Sequence, residues 1–305
     1  MIGSSFESVP LKSKATALTL PIGRPSYAAP TMPASAFGFA LAAAFLHAFW
    51  NLLLARTRDP EAATAVALVA SVIVFAPVTA IVWKAEASVW PFVVVTSLLQ
   101  LLYFALLAMA YTRSELSLVY PIARGTAPVL VLIVGVVALG TGASAAQAAG
   151  VCLVGLGVLL VRGLRGHADL VGTGFALAIA STIAASTLVD KHGIEHAGPI
   201  PYLELGMLPA SFGYAAVVLA RRGTAPIRAE LRLTPVVAGI TSFGAYVLVL
   251  AALSRASAAS VAAVRETSVV IATAAAAPLL KERVDRTRLL GAVVVVAGVA
   301  LVSLG

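Results

Sequence analysis

Two arginines, each followed two residues later by a threonine, stand in stretches otherwise composed for lipid: Arg124 with Thr126, and Arg265 with Thr267. A guanidinium presents a planar fork of donors that matches a carboxylate or phosphate. Left against hydrocarbon it costs about 2.5–3.5 kcal/mol on insertion scales, so intramembrane charges usually face a bundle interior or a wet cavity. The chemistry open to such a pair is anion binding or ion pairing. The plainer alternative is snorkelling, in which each side chain reaches back to its own interface. Glu266 directly follows Arg265, and a carboxylate at that depth needs a partner. It can neutralise Arg124 and leave Arg265 for a ligand, or it can carry a proton.

Other polar groups share helical faces with these charges. In the fourth apolar stretch Ser117, Tyr120, Pro121, Arg124 and Pro128 recur at helical spacing. Pro121 removes a backbone hydrogen bond and bends its helix, which suits a moving gate. His47, Trp50 and Asn51 share a face of the first stretch, and Gln100 and Tyr103 a face of the third. Tyr120, Tyr103, Trp50 and Tyr246 offer amphipathic walls. The candidate binding set is therefore Arg124, Arg265, Glu266, Tyr120, Thr126, Thr267, Tyr103, His47, Trp50, Asn51 and Tyr246, with Pro121 as the gating residue. Glu266 and His47 are the deep titratable groups suited to proton coupling. Glu204, Met207, Ser211 and Tyr214 in the seventh stretch, and Ser186, Thr187 and Asp190 in the sixth, are explained equally well by interhelical hydrogen bonds of about 0.6 kcal/mol each. Glu204 lies near the start of its stretch and is expected at the membrane interface.

Catalytic motifs are missing: no His-Glu-x-x-His pair, Gly-x-Ser-x-Gly elbow or Gly-x-x-x-x-Gly-Lys loop occurs. An enzyme is not expected, and no cofactor is implied. His192 and His196 stand beside Glu195 at helical metal-ligand spacing but in a connecting segment, so they read as a solvated loop and no metal site is assigned. Cys152 is the single cysteine, which excludes a disulfide within the chain and reads as a small buried hydrophobe.

The elements that position these residues follow from composition. With 60% hydrophobic residues, 11% charged and a mean hydropathy of +1.00 over 305 residues, the chain is expected to be an all-α integral membrane protein. A crossing needs about 20 apolar residues, and ten such spans are predicted: 36–55, 62–83, 90–111, 117–138, 144–162, 171–190, 199–220, 235–254, 258–280 and 287–304. Residues 1–35 read as a disordered polar tail. The net charge of +8 lies mostly in short connections, where its natural partner is a lipid bilayer surface and not nucleic acid.

The spans form a duplication. At an offset of 141, Arg124 falls on Arg265, Thr126 on Thr267, Gly150 on Gly291 and Gly157 on Gly298; at an offset of 136, residues 38–42 fall on 174–178. Residues 36–162 and 171–304 are then two five-helix repeats. An odd number of spans inverts the second copy, which predicts ten transmembrane helices as two inverted five-helix repeats with a site between them near the midplane. Each arginine sits about seven or eight residues into its span, roughly 10–12 Å deep at the rise of an α-helix, so the two reach one central volume from opposite faces. The paired glycines let the fifth and tenth spans approach a neighbour closely.

Residues 116–128, reading Leu-Ser-Leu-Val-Tyr-Pro-Ile-Ala-Arg-Gly-Thr-Ala-Pro, together with Val264-Arg265-Glu266-Thr267-Ser268 and Leu280-Lys281-Glu282-Arg283 followed by Gly291 and Gly298, resemble the EamA-type branch of the drug/metabolite transporter superfamily. The resemblance covers residues 36–304. It implies a bacterial inner-membrane carrier, usually an exporter of small metabolites, amino acids or drugs. Family repeats commonly carry Leu-Gly-Glu after the fourth span; the second copy keeps Glu282, whereas the first reads Gly140-Thr141-Gly142, so Glu282 reads as a surface or helix-start residue. The combined expectation is a secondary transporter of a small polar metabolite, anionic or zwitterionic, working by alternating access. The alternatives are a flippase for a lipid-linked sugar or phospholipid-like substrate, and a non-transporting membrane assembly subunit. Nothing in the sequence chooses between a monomer and a homodimer.

Orientation divides the two lines of reasoning. Connections after odd-numbered spans hold thirteen basic residues against six on the other side, and positive-inside bias then puts both termini outside. The resemblance implies both inside. On the charge argument, a reporter active only in the cytoplasm and fused after Gly305 is expected to be silent, and activity there supports the opposite topology.

Overall fold

The computed structural model describes residues 31–113, 116–162, 169–280 and 286–304. These residues are helical nearly throughout, because hydrocarbon leaves each backbone N–H and C=O to be satisfied within its own segment. The helices are α1 (Ala34–Leu54), α2 (Pro60–Ile81), α3 (Trp90–Arg113), α4 (Leu116–Leu139), α5 (Ala145–Arg162), α6 (Leu170–Gly193), α7 (Pro199–Arg222), a short α8 (Thr224–Ala229), α9 (Leu233–Leu253), α10 (Ala258–Arg265), α11 (Thr267–Leu280) and α12 (Arg286–Leu304). Polar caps mark several starts. The Asp59 carboxylate accepts from the Ala62 N–H at 3.1 Å ahead of α2, and Asp169 accepts from Gly172 at 2.9 Å ahead of α6. Before α5, Ser144 and Gln147 form a reciprocal capping box at 3.0 and 3.2 Å.

Among the described residues seven helices are long and apolar enough to cross a membrane, and two shorter apolar helices cover Ala145–Val161 and Leu289–Ser303. The expected ninth span is not continuous. It breaks at Glu266, whose N–H bonds the Ala263 carbonyl at 3.1 Å while the Val269 N–H bonds the Glu266 carbonyl at 2.9 Å. That tight turn separates α10 from α11. The tail expected over residues 1–35 lies outside the described residues as far as residue 30, and α1 already begins at Ala34 with Met32 buried beneath it. The proposed helix-start residue Glu282 also lies outside the described residues.

Contacts between the two halves come in matched pairs. α1 packs on α9 as α6 packs on α3; α1 packs on α10 and α11 as α6 packs on α4; α2 packs on α9 as α7 packs on α3. Three further contacts, α5 with α12, α2 with α7 and α4 with α10, join equivalent helices. Exchanging the halves maps these contacts onto one another; α5 with α10 and α11, and α2 with α8, are additional contacts outside that exchange.

The α5–α12 pair depends on glycine. A Cβ built on Gly150 would lie 2.7 Å from the Gly298 carbonyl oxygen, and one on Gly157 would lie 2.8 Å from that of Gly291. The helices touch backbone to backbone, which only small residues allow. Gly125 and Gly155 repeat the arrangement between α4 and α5, where a Cβ built on each would lie 2.9 and 2.7 Å from the other's carbonyl oxygen. Gly125 occupies the place that Glu266 takes in the second repeat, and a glutamate side chain has no room there. Cys152 corrects an expectation: it is exposed on the outer surface of α5, because the inner face of that helix is given over to the glycine contacts. Gly298→Leu is expected to lower the thermal unfolding midpoint in detergent, by a destabilisation of about 1–3 kcal/mol or more typical of overpacking. Gly38→Ala, which meets nothing within 4 Å, is the control and should leave the midpoint unchanged or raised.

Candidate functional site

A cavity of ≈ 380 Å³ lies between the halves. α1, α2, α3, α6, α7 and α9 wall it, and Arg124 of α4 and Arg265 of α10 reach it from opposite repeats. Both arginines are buried, at 6% and 5% exposure, so neither snorkels to an interface.

Glu266 lies between them with 0% exposure. Its Oε2 stands 3.0 Å from Arg124 Nε and its Oε1 3.8 Å from Arg265 Nε. Arg124 Nη2 also donates to Ser268 Oγ at 3.2 Å. Arg265 Nε and Nη2 have no hydrogen-bond partner among the described residues. The turn at Glu266 is what places the carboxylate toward α4 while Arg265 still faces the cavity. The consequence is a three-charge cluster in which one carboxylate serves two guanidinium groups and favours the first.

The remaining candidates separate by helix geometry. His47, Trp50, Asn51, Tyr103 and Tyr246 all line the cavity. Trp50 Nε1 donates to His47 Nδ1 at 3.2 Å, with the two rings edge to face at 4.9 Å, and Asn51 Nδ2 donates to the His47 carbonyl at 2.7 Å. Thr126 and Thr267 are corrections, for neither reaches the cavity. Along the continuous α4, two residues turn through about 200°, so Thr126 points away from the cavity that Arg124 faces. Thr267 instead donates back to the Val264 carbonyl at 2.7 Å. The side chains of Tyr120 and Pro121 lie outside the described residues. Glu204, expected near the membrane interface from its place early in the span, is buried within the protein at 4% exposure, with Oε2 lacking a hydrogen-bond partner among the described residues.

The sequence reading understated Asp190. Completely buried, it accepts from Thr96 Oγ1 at 2.6 Å, Tyr202 OH at 2.8 Å and Tyr246 OH at 2.6 Å. Its neighbour Lys191 turns away, donating to the Leu253 and Ala256 carbonyls at the end of α9. A lone aspartate near a helix end carries little signal in sequence, because its three donors come from three other helices.

Each end of the molecule is tied by contacts between repeats. At one end Arg222 bonds Asp59 Oδ1 and Oδ2 at 2.9 and 2.6 Å and Glu61 Oε2 at 3.0 Å. The hydrogen bond from Arg222 holds the Asp59 carboxyl below its ordinary value against a smaller opposing effect of burial, so this tie keeps its charge at neutral pH and loses it only in acid. At the other end Ala85 and Ala197 form an isolated antiparallel bridge, His196 Nδ1 lies 3.0 Å from Ser88 Oγ and 3.5 Å from Glu86 Oε2, and its ring stacks on Phe92. The expected solvated loop is thus an inter-repeat contact at His196. Among the described residues no group of three or more metal-ligating side chains is assembled.

The sequence matches the EamA-like transporter family twice, over residues 34–163 and 170–304. The chain belongs to that family. It is accordingly a multi-pass integral membrane protein of the drug/metabolite transporter superfamily, built from two EamA repeats, and its family is one of transporters, not enzymes. None of the curated proteins compared with it matches. One solved crystal structure, described only as that of a protein, superposes with a TM-score of 0.73 over 88% of this chain and 96% of its own at 17% identity; that likeness concerns the fold alone.

The charge cluster makes a stability prediction. Removing one partner of a buried ion pair strands the other, at a cost of about 3–5 kcal/mol. Glu266→Gln is expected to lower the detergent unfolding midpoint steeply, and adding Arg124→Gln should recover much of the loss; purely additive losses would show that the two residues do not form the pair.

Proposed function

We propose that this EamA chain is a secondary transporter that moves a small anionic or zwitterionic metabolite, amino-acid-like in its charge, across the bacterial inner membrane, in the direction of export. Ten crossings in two inverted repeats alternate access to the cavity between them. The observation that supports this most is Arg265: it lines the cavity, and two of its buried nitrogens lack hydrogen-bond partners among the described residues. A carboxylate or phosphate entering the cavity supplies the acceptors that guanidinium otherwise lacks. Arg124 is held by Glu266 and Ser268 and positions the cluster. Trp50, Tyr103 and Tyr246 supply the walls for the rest of the substrate.

The two end contacts support alternation. At the repeat offset of 136, residues 59–61 fall on 195–197 and Glu86 falls on Arg222. The tie at one end and the bridge at the other are therefore the same contact in its two repeat-related places. Opening one while keeping the other exposes the cavity to each side in turn.

Flux into proteoliposomes, measured over a panel of anionic, zwitterionic and cationic metabolites, tests the reading. Anions and zwitterions should be carried. Arg265→Ala should weaken apparent affinity at least tenfold while leaving folded yield intact, whereas Arg124→Ala should reduce both. Preference for cations, or unchanged flux and affinity in both variants, would overturn the proposal.

A further inference from the structure

Asp190 is a buried carboxylate outside the arginine cluster, and among the described residues no cation lies within ion-pair distance of it. Its hydrogen bonds from side chains among the described residues come from hydroxyl groups, on α3, α7 and α9. The two oxygens have different company. Oδ1 accepts from Thr96 and Tyr202, whose own hydroxyls stand 2.8 Å apart. Among the described residues Oδ2 accepts only from Tyr246. Asp190 does not line the cavity, but Tyr246 does, together with Arg265 and with Ser186, one turn before Asp190 on α6. The Tyr246 hydroxyl is thus a connection between a sealed carboxylate and the ligand space.

From these contacts we infer that Asp190 is a proton site linked to anion binding through Tyr246, so that the transported unit is one proton with one monoanion. With Asp190 ionised, the Tyr246 O–H is committed to Oδ2 and turns a lone pair toward the cavity. When a proton binds Oδ2, the new carboxylic O–H donates to the Tyr246 oxygen, and the tyrosine O–H is released to donate to an anion beside Arg265. No bond other than these O–H contacts changes, and the proton comes from water entering the cavity.

Charge balance points the same way. Arg124, Arg265, Glu266 and Asp190 sum to zero when all are ionised, and protonating Asp190 leaves one positive charge for an anion to neutralise. The groups facing Asp190 are Thr96 of α3, Tyr202 of α7, Tyr246 of α9 and Arg265 of α10; α4, the other helix packed on α6, presents no charge to it among the described residues. Glu266 and His47, the coupling candidates named from sequence, are engaged elsewhere, with the two arginines and with Trp50. Linkage is reciprocal: if a proton tightens anion binding, the anion tightens proton binding by the same factor. Export of this unit runs down the substrate's own gradient and carries a proton out with it.

The inference rests on the anion-binding reading of the cavity, and one experiment separates the two. The full chain in detergent is titrated with acetate, lactate and glutamate over a range of pH, with Trp50 fluorescence as the signal. In the wild type, affinity for the anion that binds should fall tenfold per pH unit above the Asp190 titration. Asp190→Asn, which mimics the protonated acid, should bind at the wild type's low-pH affinity with no pH slope. Binding that is pH-independent in the wild type, or a slope that survives in Asp190→Asn, overturns the proton linkage while leaving the anion site standing. Failure of all three anions to bind at any pH counts against the anion site and the linkage with it. Should Asp190→Asn not fold, infrared pH titration decides: a protonated-carboxyl band that strengthens on anion addition and shifts in Tyr246→Phe supports the assignment, and a band unaffected by either refutes it.

Discussion

The constraint on which the rest depends is that charges withdrawn from water must be neutralised by other charges or by hydrogen bonds brought to them. Arg124 and Arg265 come from different repeats, and Glu266 sits at 0% exposure between them. This cluster holds the halves of the chain together in a solvent that gives apolar helices little reason to associate. It also explains why α10 and α11 are two helices. A continuous helix would carry residues 265 and 266 to directions about 100° apart; the turn at Glu266 lets one face the cavity and the other face α4.

Around the cluster, most of the packing between the halves follows their exchange. The glycine contacts of α5 with α12 and of α4 with α5 bring backbones together at the side of the bundle away from the cavity. The remaining helices are then left to enclose an open volume of ≈ 380 Å³. Close contact and open space are two results of one distribution of residue size. Glycine at 125 allows the approach of α5, and glutamate at the equivalent position 266 supplies the charge, so the site is asymmetric although the fold is duplicated.

The same low-dielectric surroundings give the polar residues unequal value. Asp190 collects hydroxyl donors from three helices, and its link to the cavity runs through one of them, Tyr246. Arg265, which also lines the cavity, keeps donors without hydrogen-bond partners among the described residues. At the ends, Arg222 with Asp59 and Glu61, and His196 with Glu86 and Ser88, show one repeat-related contact built once from permanent charges and once from an imidazole.

Much of this was legible in the residues themselves. Apolar length determines membrane helices because hydrocarbon permits no unsatisfied backbone, and the offset of 141 is visible because costly charges and close-contact glycines cannot drift as alanine and valine can. The pairing of Glu266 with Arg124 was open as one of two possibilities, since spacing shows depth but not direction. The faces of Thr126 and Thr267, the exposure of Cys152, the burial of Glu204 and the role of His196 were decided only in three dimensions, each by which helix happens to pack alongside. Sequence by itself determined that this chain is a duplicated membrane protein with arginines at matched repeat positions, for those properties follow from solvent and periodicity along the chain; its transporter family came from the resemblance of its motifs. Tertiary structure alone decided which carboxylate answers which arginine and that Asp190 is tied to the cavity, because both depend on atoms that meet from helices far apart in the chain.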